Sequence, residues 1–195
     1  MKTLLLTVCL AIIVMTGFSQ IPKGTTYAGF SLLSAYTQFT HYDGTVKYGG
    51  PGFSLHPSYG WFVLKNLSVG GQLDAYFGQY AALKGEFTPS VSTRSLGGSI
   101  FIRDYIWLTS RLSAVVGADY GWQKGKSHTA YRSHTGSVNT FGARAGAAWF
   151  VNNRIVLELT AGYNRRNQYD LAHSLQTPFE GVAVEIGVRR WVITR

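Results

Sequence analysis

A period-two alternation over residues 52–80 constrains the fold of this chain more than any other feature. Apolar or aromatic residues occupy every second position up to Val63, and mostly small or polar residues stand between them. After a short interruption the pattern resumes at Leu67, again with two unlike sets of side chains. Because successive side chains of a strand point to opposite faces, this pattern predicts a hairpin with one apolar and one polar face. Pairing Val63 with Leu67 superposes the apolar sets and brings His56 opposite Asp74, and a slip of one residue would destroy this match.

The same alternation recurs along the chain and predicts eight strands. These strands are 26–37, the two arms of 52–80, 95–106, 112–123, 140–151, 155–164 and 181–192. The connections alternate between short ones, at 64–66, 107–111 and 152–154, and long ones, at 38–51, 81–94, 124–139 and 165–180. Since antiparallel neighbours need only short turns, this order predicts an up-and-down meander with one plain end and one elaborated end.

Residues 1–19 have the composition of a secretory signal peptide. Lys2 is followed by an apolar run over 4–14 and by small and neutral residues up to Ser19. Such a run is too short for a membrane-spanning helix, so we predict cleavage after Ser19 and a single domain over 20–195. The only cysteine, Cys9, lies in the leader. The mature chain would therefore form no disulfide, thiolate metal site or cysteine nucleophile.

The apolar face of the strands fits either the core of a soluble secreted domain or the outer surface of a membrane barrel. Every lysine lies in the leader, near a terminus, in a loop or in a turn, and the polar face is rich in Gly, Ala and Ser. That composition is expected where side chains crowd into a narrow barrel interior. The polar face also carries sparse ionisable residues of both signs: His56, Asp74, Arg103, Asp119, Arg144, Glu158, Glu185 and Arg189. Buried charges are tolerated only in pairs, so we expect a lumen charge network.

Aromatic residues cluster near both ends of the apolar face, with small aliphatic residues between them. Trp61 and Trp149 lie near the short turns, and Tyr36, Tyr120, Trp122 and Tyr163 lie near the long loops. Two aromatic belts around an aliphatic band are typical of a barrel that crosses a bilayer. The sequence therefore predicts an all-β fold, an eight-stranded antiparallel up-and-down transmembrane β-barrel with short turns and four longer loops.

The runs 57–63 (PSYGWFV) and 67–71 (LSVGG) resemble the second hairpin of the small outer-membrane β-barrel proteins, similar to the barrels of outer membrane proteins A and X. Residues 101–105 resemble the aromatic–aliphatic–Arg–aromatic strand of that family, with Asp104 as a departure. Trp191 is the candidate for the terminal aromatic residue that the barrel-insertion machinery reads. The resemblance implies a bacterial outer membrane, periplasmic turns, extracellular loops and contact with outer-membrane lipids and lipopolysaccharide.

The interior of an eight-stranded barrel is just filled by its own side chains, so the lumen charges fit a structural plug better than a pore. Several basic residues fall in the predicted loops: Lys84, Lys124, Lys126, Arg132, Arg165 and Arg166. They are candidates for contacts with anionic groups such as lipopolysaccharide phosphates, although ordinary solvated loops have a similar composition. They are scattered over separate loops without a recognition motif, which argues against nucleic-acid binding. We predict a non-enzymatic barrel with a structural or surface-interaction role.

The alternative is an enzyme that modifies outer-membrane lipid, of the lipid A deacylase or acyltransferase type. His128, His134 and His173 lie in predicted loops, each beside a serine. No group of residues meets the geometric requirements of a catalytic triad, so we assign no catalytic residue. The histidines also lack the spacing and partner ligands of a metal site, so we expect neither a metal nor a cofactor.

Overall fold

The computed structural model describes residues 21–40, 47–84, 90–128, 133–170 and 175–192. Its strands are β1 (Thr26–Thr40), β2 (Lys47–Phe62), β3 (Leu67–Lys84), β4 (Val91–Trp107), β5 (Leu112–His128), β6 (Ser133–Phe150), β7 (Ile155–Asp170) and β8 (Leu175–Val192). Neighbours in the chain pair antiparallel, and β8 pairs with β1 to close a barrel. The predicted eight-stranded meander is therefore confirmed. None of the described residues forms a helix long and apolar enough to cross a membrane.

The β2–β3 hairpin has the predicted register. Tyr59 pairs with Gly71 and Trp61 with Val69, and the amide of Val63 donates to the carbonyl of Leu67 at 3.0 Å. The other two short turns close in the same way, with N–O distances of 2.9 Å and 3.0 Å at 108–112 and 151–155. We call the end that carries these turns the turn end, and the opposite end the loop end.

The predicted lengths of the four long connections are wrong. Strand pairing continues well past the predicted ends, as far as His128 opposite Ser133 and Asp170 opposite Leu175. The connections at the loop end shrink to 41–46, 85–90, 129–132 and 171–174. A ladder is held by backbone hydrogen bonds, and above the lipid both of its faces can be polar. The loss of apolar alternation therefore marks where the strands leave the apolar band, not where they end.

The apolar face of the strands lies on the outside of the barrel. Leu73, Leu96, Ile100 and Val182 each have more than 60% of their surface exposed, at 63%, 67%, 69% and 67%. Folded soluble proteins rarely expose contiguous apolar surface on this scale, so this band faces lipid. The six predicted belt residues are exposed on the same face at its two ends.

Inner-face glycines make room for the large side chains of the interior. A Cβ atom on Gly60 would lie 2.6 Å from the Tyr27 ring, and one on Gly70 would lie 2.4 Å from the Phe101 ring. Real Cβ atoms do not approach other atoms so closely, so the ring and the glycine are complementary. Small residues on one strand thus leave space for bulky side chains of the neighbouring strand. The lumen is too narrow for both strands to carry bulky side chains at the same level.

Candidate functional site

The middle of the barrel interior holds six charged side chains from five strands. They are Arg103 of β4, Asp119 of β5, Arg144 of β6, Glu158 of β7, and Glu185 and Arg189 of β8. All of them point inward because each belongs to the polar set of alternate positions on its strand. We call this set the central network.

Each carboxylate of the central network contacts at least one arginine. Arg103 lies 3.2 Å from Glu158 and 3.4 Å from Glu185, measured between guanidinium nitrogens and carboxylate oxygens. Arg144 lies 2.6 Å from Asp119 and also contacts Glu185.

Arg189 completes the set, with its Nε 2.7 Å from Glu158 Oε2. Tyr105 donates a further hydrogen bond of 2.6 Å to Glu158. Desolvating charges is costly unless each is paired, and every charge of the central network contacts a group of opposite charge. Three guanidinium nitrogens, Nε of Arg144 and Nε and Nη2 of Arg189, have no hydrogen-bond partner among the described residues.

His56 and Asp74 form a separate pair on β2 and β3. His56 Nδ1 lies 2.5 Å from Asp74 Oδ1, and Gln72 donates to the same oxygen at 2.9 Å. In the described part of the chain, the other ring nitrogen of His56 has no hydrogen-bond partner. A nucleophilic triad needs a hydroxyl or thiol at that nitrogen, so the geometry is that of a buried hydrogen-bonded pair.

Arg166 lies inside the barrel, and its predicted position in a loop is wrong. It donates from Nη2 to Ser95 Oγ and to Gln123 Oε1, both at 2.8 Å, and its guanidinium lies 3.3 Å from the centre of the Tyr76 ring. β7 continues beyond Asn164, and Arg166 lies an even number of residues after the inward Glu158. It therefore points inward as well. None of the described carboxylates forms an ion pair with it.

An aromatic cluster fills the turn end of the interior. It consists of Tyr27, Phe62, Phe101, Tyr105, Trp107, Phe150 and Trp191, with Ile21, Val115, Ala148 and Val156. Ring centres are 4.3 Å apart for Trp107 and Phe150, and 4.9 Å apart for Phe150 and Trp191. Sequence reasoning missed this cluster because it treated the inner face as small and polar throughout. The inward parity of Phe62 and Phe150, each beside an outward tryptophan, was the available signal.

The segment before β1 closes the turn end. The Ile21 amide donates to the side-chain Oδ1 of Asn66 at 3.0 Å, and the Asn66 amide donates back to the Ile21 carbonyl at 3.4 Å. The Gly24 amide donates to the Phe62 carbonyl at 2.8 Å. Trp107 Nε1 donates to the same Asn66 Oδ1 at 3.1 Å. Beside the central network, a void of about 10 Å³ leaves room for roughly one water molecule. Together with the aromatic cluster, the charged side chains of the central network occupy the turn end and the middle of the barrel interior.

Three predicted anion-contact residues lie on the outside of the barrel at the loop end: Lys124, Lys126 and Arg165. Lys126 pairs with Arg94 across β4 and β5, and Lys124 lies two residues beyond the belt residue Trp122, with its Nζ 5.7 Å from that ring. We call Arg94, Lys124 and Lys126 the basic patch.

Arg165 differs from the basic patch because it has a carboxylate partner, Glu180, at 3.5 Å. Lys84 is the last residue of β3, and Arg132 lies outside the described residues.

Two histidines of the enzymatic alternative, His128 and His134, lie at the loop end. His128 ends β5 opposite Ser133, and His134 of β6 lies opposite Ser127. His173 lies outside the described residues. Within the described ranges, no three His, Cys, Asp or Glu side chains are grouped as metal ligands would be.

Comparison with known proteins shows the fold. No protein-family model matches the chain, and no curated protein matches it. Neisserial surface protein A is similar in structure, with a TM-score of 0.51 and 17% identity over 86% of this chain and 99% of that one. Ail, the attachment invasion locus protein of Yersinia pestis, has a TM-score of 0.50 and 13% identity over 88% and 100%. The outer membrane protein OprG from Pseudomonas aeruginosa has a TM-score of 0.51 and 10% identity over 88% and 97%.

At these identities the likeness carries the architecture and not the activity. The chain has the fold of the small outer-membrane β-barrels, and the resemblance expected from residues 57–71 is confirmed.

Proposed function

We propose that the chain is a non-enzymatic integral protein of a bacterial outer membrane, which binds phosphate groups of the surrounding lipopolysaccharide through its basic patch. The observation that carries this proposal is the position of three cations on the outer wall just beyond an aromatic belt. The occupied interior supports a structural barrel over a channel, because the central network and the aromatic cluster fill it.

The charge around the basic patch supports an anionic partner. Arg94 and Lys126 are opposite one another in the β4–β5 ladder, and like charges in that position repel. The outward neighbours of the patch on β3 and β6 are neutral, including Phe77 opposite Arg94 and Ser137 opposite Lys124. A bound anion would relieve the repulsion and compensate all three cations.

The height of the basic patch favours a membrane glycolipid over a soluble anion. Aromatic belts mark the level of the lipid head groups. Lys124 comes two residues after Trp122 and on the same outer face. This spacing supports an ammonium group that reaches phosphates of the outer leaflet. Another small barrel provides a precedent for polyanion binding, since Ail was solved in complex with the heparin analogue sucrose octasulfate. Ail is 14% identical to this chain, with a TM-score of 0.51.

The proposal is tested by titrating the detergent-solubilised barrel with bisphosphorylated, monophosphorylated and dephosphorylated lipid A. We expect affinity to fall with each phosphate removed. The variant Arg94→Gln/Lys124→Gln/Lys126→Gln should bind bisphosphorylated lipid A on the order of 100-fold more weakly, at about fivefold per cation. Arg165→Gln is the matched control, because this exposed arginine at the same end of the barrel already pairs with Glu180. Equal binding by the triple variant and the parent protein would refute the proposal.

The enzymatic alternative makes a different prediction. An enzyme would change the acyl pattern of lipid A in expressing cells, and the combined substitution of His128, His134 and His173 by alanine would abolish that change. Mass spectrometry of extracted lipid A distinguishes the two. A non-enzymatic barrel leaves the acyl pattern the same with or without the protein.

A further inference from the structure

A second basic site lies at the turn end. A cleft of about 860 Å³ opens between the turns 108–111 and 151–154 and the segment before β1. Trp107, Phe150 and Trp191 form an aromatic floor. This volume falls within the range of about 300–1,000 Å³ that is usual for small-molecule sites.

The rim of the cleft carries three exposed arginines: Arg111, Arg154 and Arg190. None of them forms an ion pair with a described residue, in contrast to the arginines of the central network. The described residues that line the cleft include no aspartate or glutamate. Three cations around one hollow, without a counter-ion among the described residues, favour an anion that can accept several guanidinium hydrogen bonds at once, as a phosphate can.

One wall of the cleft belongs to the lipid-facing surface. Arg190 lies in the same outward row as Val188 and Val192, which are 50% and 55% exposed, and it pairs with Ile155 of β7. Ile155 also lines the cleft and is itself exposed. The cleft is therefore apolar towards the membrane and cationic at its rim. A phospholipid has apolar and anionic groups in this order, whereas a free anion has no apolar part.

We propose that this cleft holds the phosphate head group of an anionic phospholipid, with the three arginines on the phosphate and the glycerol ester region against Ile155. The inference requires a barrel in a membrane, but it does not depend on the basic patch, which lies at the opposite end.

The experiment is native mass spectrometry of the purified barrel after exchange into phosphatidylglycerol, phosphatidylcholine or glycerol 3-phosphate. We expect bound phosphatidylglycerol to survive detergent removal, and little retention of the other two. Arg111→Gln/Arg154→Gln/Arg190→Gln should retain phosphatidylglycerol less by about fivefold per arginine, on the order of 100-fold in total.

The variants that replace the same arginines by lysine, and Arg165→Gln at the loop end, control for folding and for general charge. The lysine variant should keep most of the preference for phosphatidylglycerol, and Arg165→Gln all of it. Equal retention of phosphatidylglycerol and phosphatidylcholine by the parent protein would overturn the proposal, and tight binding of glycerol 3-phosphate would overturn its assignment to lipid.

Loss of the basic patch should leave retention at the turn end unchanged, so failure of this inference and failure of the proposed function are separable. An equal loss of phosphatidylglycerol in the patch variant and in the cleft variant would show unspecific charge and refute the site.

Discussion

The turn end of the barrel interior and its middle follow the same strand alternation but are stabilised by different interactions. At the turn end, aromatic rings pack on one another and on the segment before β1. In the middle, three arginines and three carboxylates share contacts. Glu158 alone contacts Arg103, Arg189 and Tyr105.

One inner face can therefore be stabilised in two ways. Apolar packing contributes roughly in proportion to the area and volume that are buried, so its loss is graded. A buried charge network responds to removal of one member by leaving the others desolvated and unpaired. The two regions should therefore respond differently to conservative and to drastic substitutions.

The largest effect is expected for Glu158→Ala in the central network. It leaves Arg103 and Arg189 without a main partner, and we expect the free energy of unfolding to fall by about 5 kcal/mol, the upper part of the range for breaking a buried pair. Glu158→Gln should lower the free energy of unfolding by most of the same amount. The amide keeps the shape of the carboxylate, but its lost charge leaves both arginines without their main charged partner. Urea titration of the barrel in detergent micelles measures both, with Glu180→Ala as the exposed control, expected to cost less than about 1 kcal/mol.

Trp191→Ala should have the next largest effect. Trp191 is 5% exposed and contacts the rings of Phe62, Tyr105 and Phe150. The cavity should cost about 4 kcal/mol in the same urea titration. Trp191→Phe keeps a ring in place and should cost far less. If Trp191→Phe were as damaging as Trp191→Ala, the graded response of the aromatic cluster would be contradicted.

Gly60→Ala should overpack the same cluster and destabilise the barrel by about 1–3 kcal/mol, because the new methyl group would meet the Tyr27 ring at 2.6 Å. Gly71→Ala is the matched control on the outer face of β3. Its Cβ would have its nearest contact at 3.7 Å, and we expect a change within about 0.5 kcal/mol. Thermal shifts of the folded band on a gel rank the two variants, and equal shifts would argue against close packing at Gly60.

Arg166→Met should have the smallest effect, within about 1 kcal/mol. This substitution leaves none of the described carboxylates unpaired, since the described partners of Arg166 are neutral. Ser95 Oγ already donates to Gln123 Oε1 at 2.5 Å, so both of those side chains keep a partner. Unfolding in urea provides the measurement. A loss as large as that of Glu158→Ala would mean that Arg166 belongs to a charge network.

Much of the fold was predictable because its signals are local. The hairpin register follows from Val63 and Leu67 on either side of one turn. The outer belts follow from aromatic residues near both ends of the apolar set of each strand that carries them. The loop-end boundaries were not predictable in this way, since β7 continues through Arg166 to Asp170 after its apolar alternation has stopped. Arg166 points inward because β7 extends past residue 164, where its apolar alternation ends.

The amino-acid sequence was enough to predict eight strands with two unlike faces, because alternation along a strand is a property of neighbouring residues. The aromatic belts and the sparse charges of the polar set indicated which face meets lipid. The contacts among the inner side chains became known only from the folded barrel. Arg103 contacts carboxylates 55 and 82 residues away, and Asn66 joins the segment before β1 to Trp107. These contacts depend on the closure of β1 with β8 and on the stagger of the strands, which set the height of each side chain in the lumen and are not encoded in any one segment.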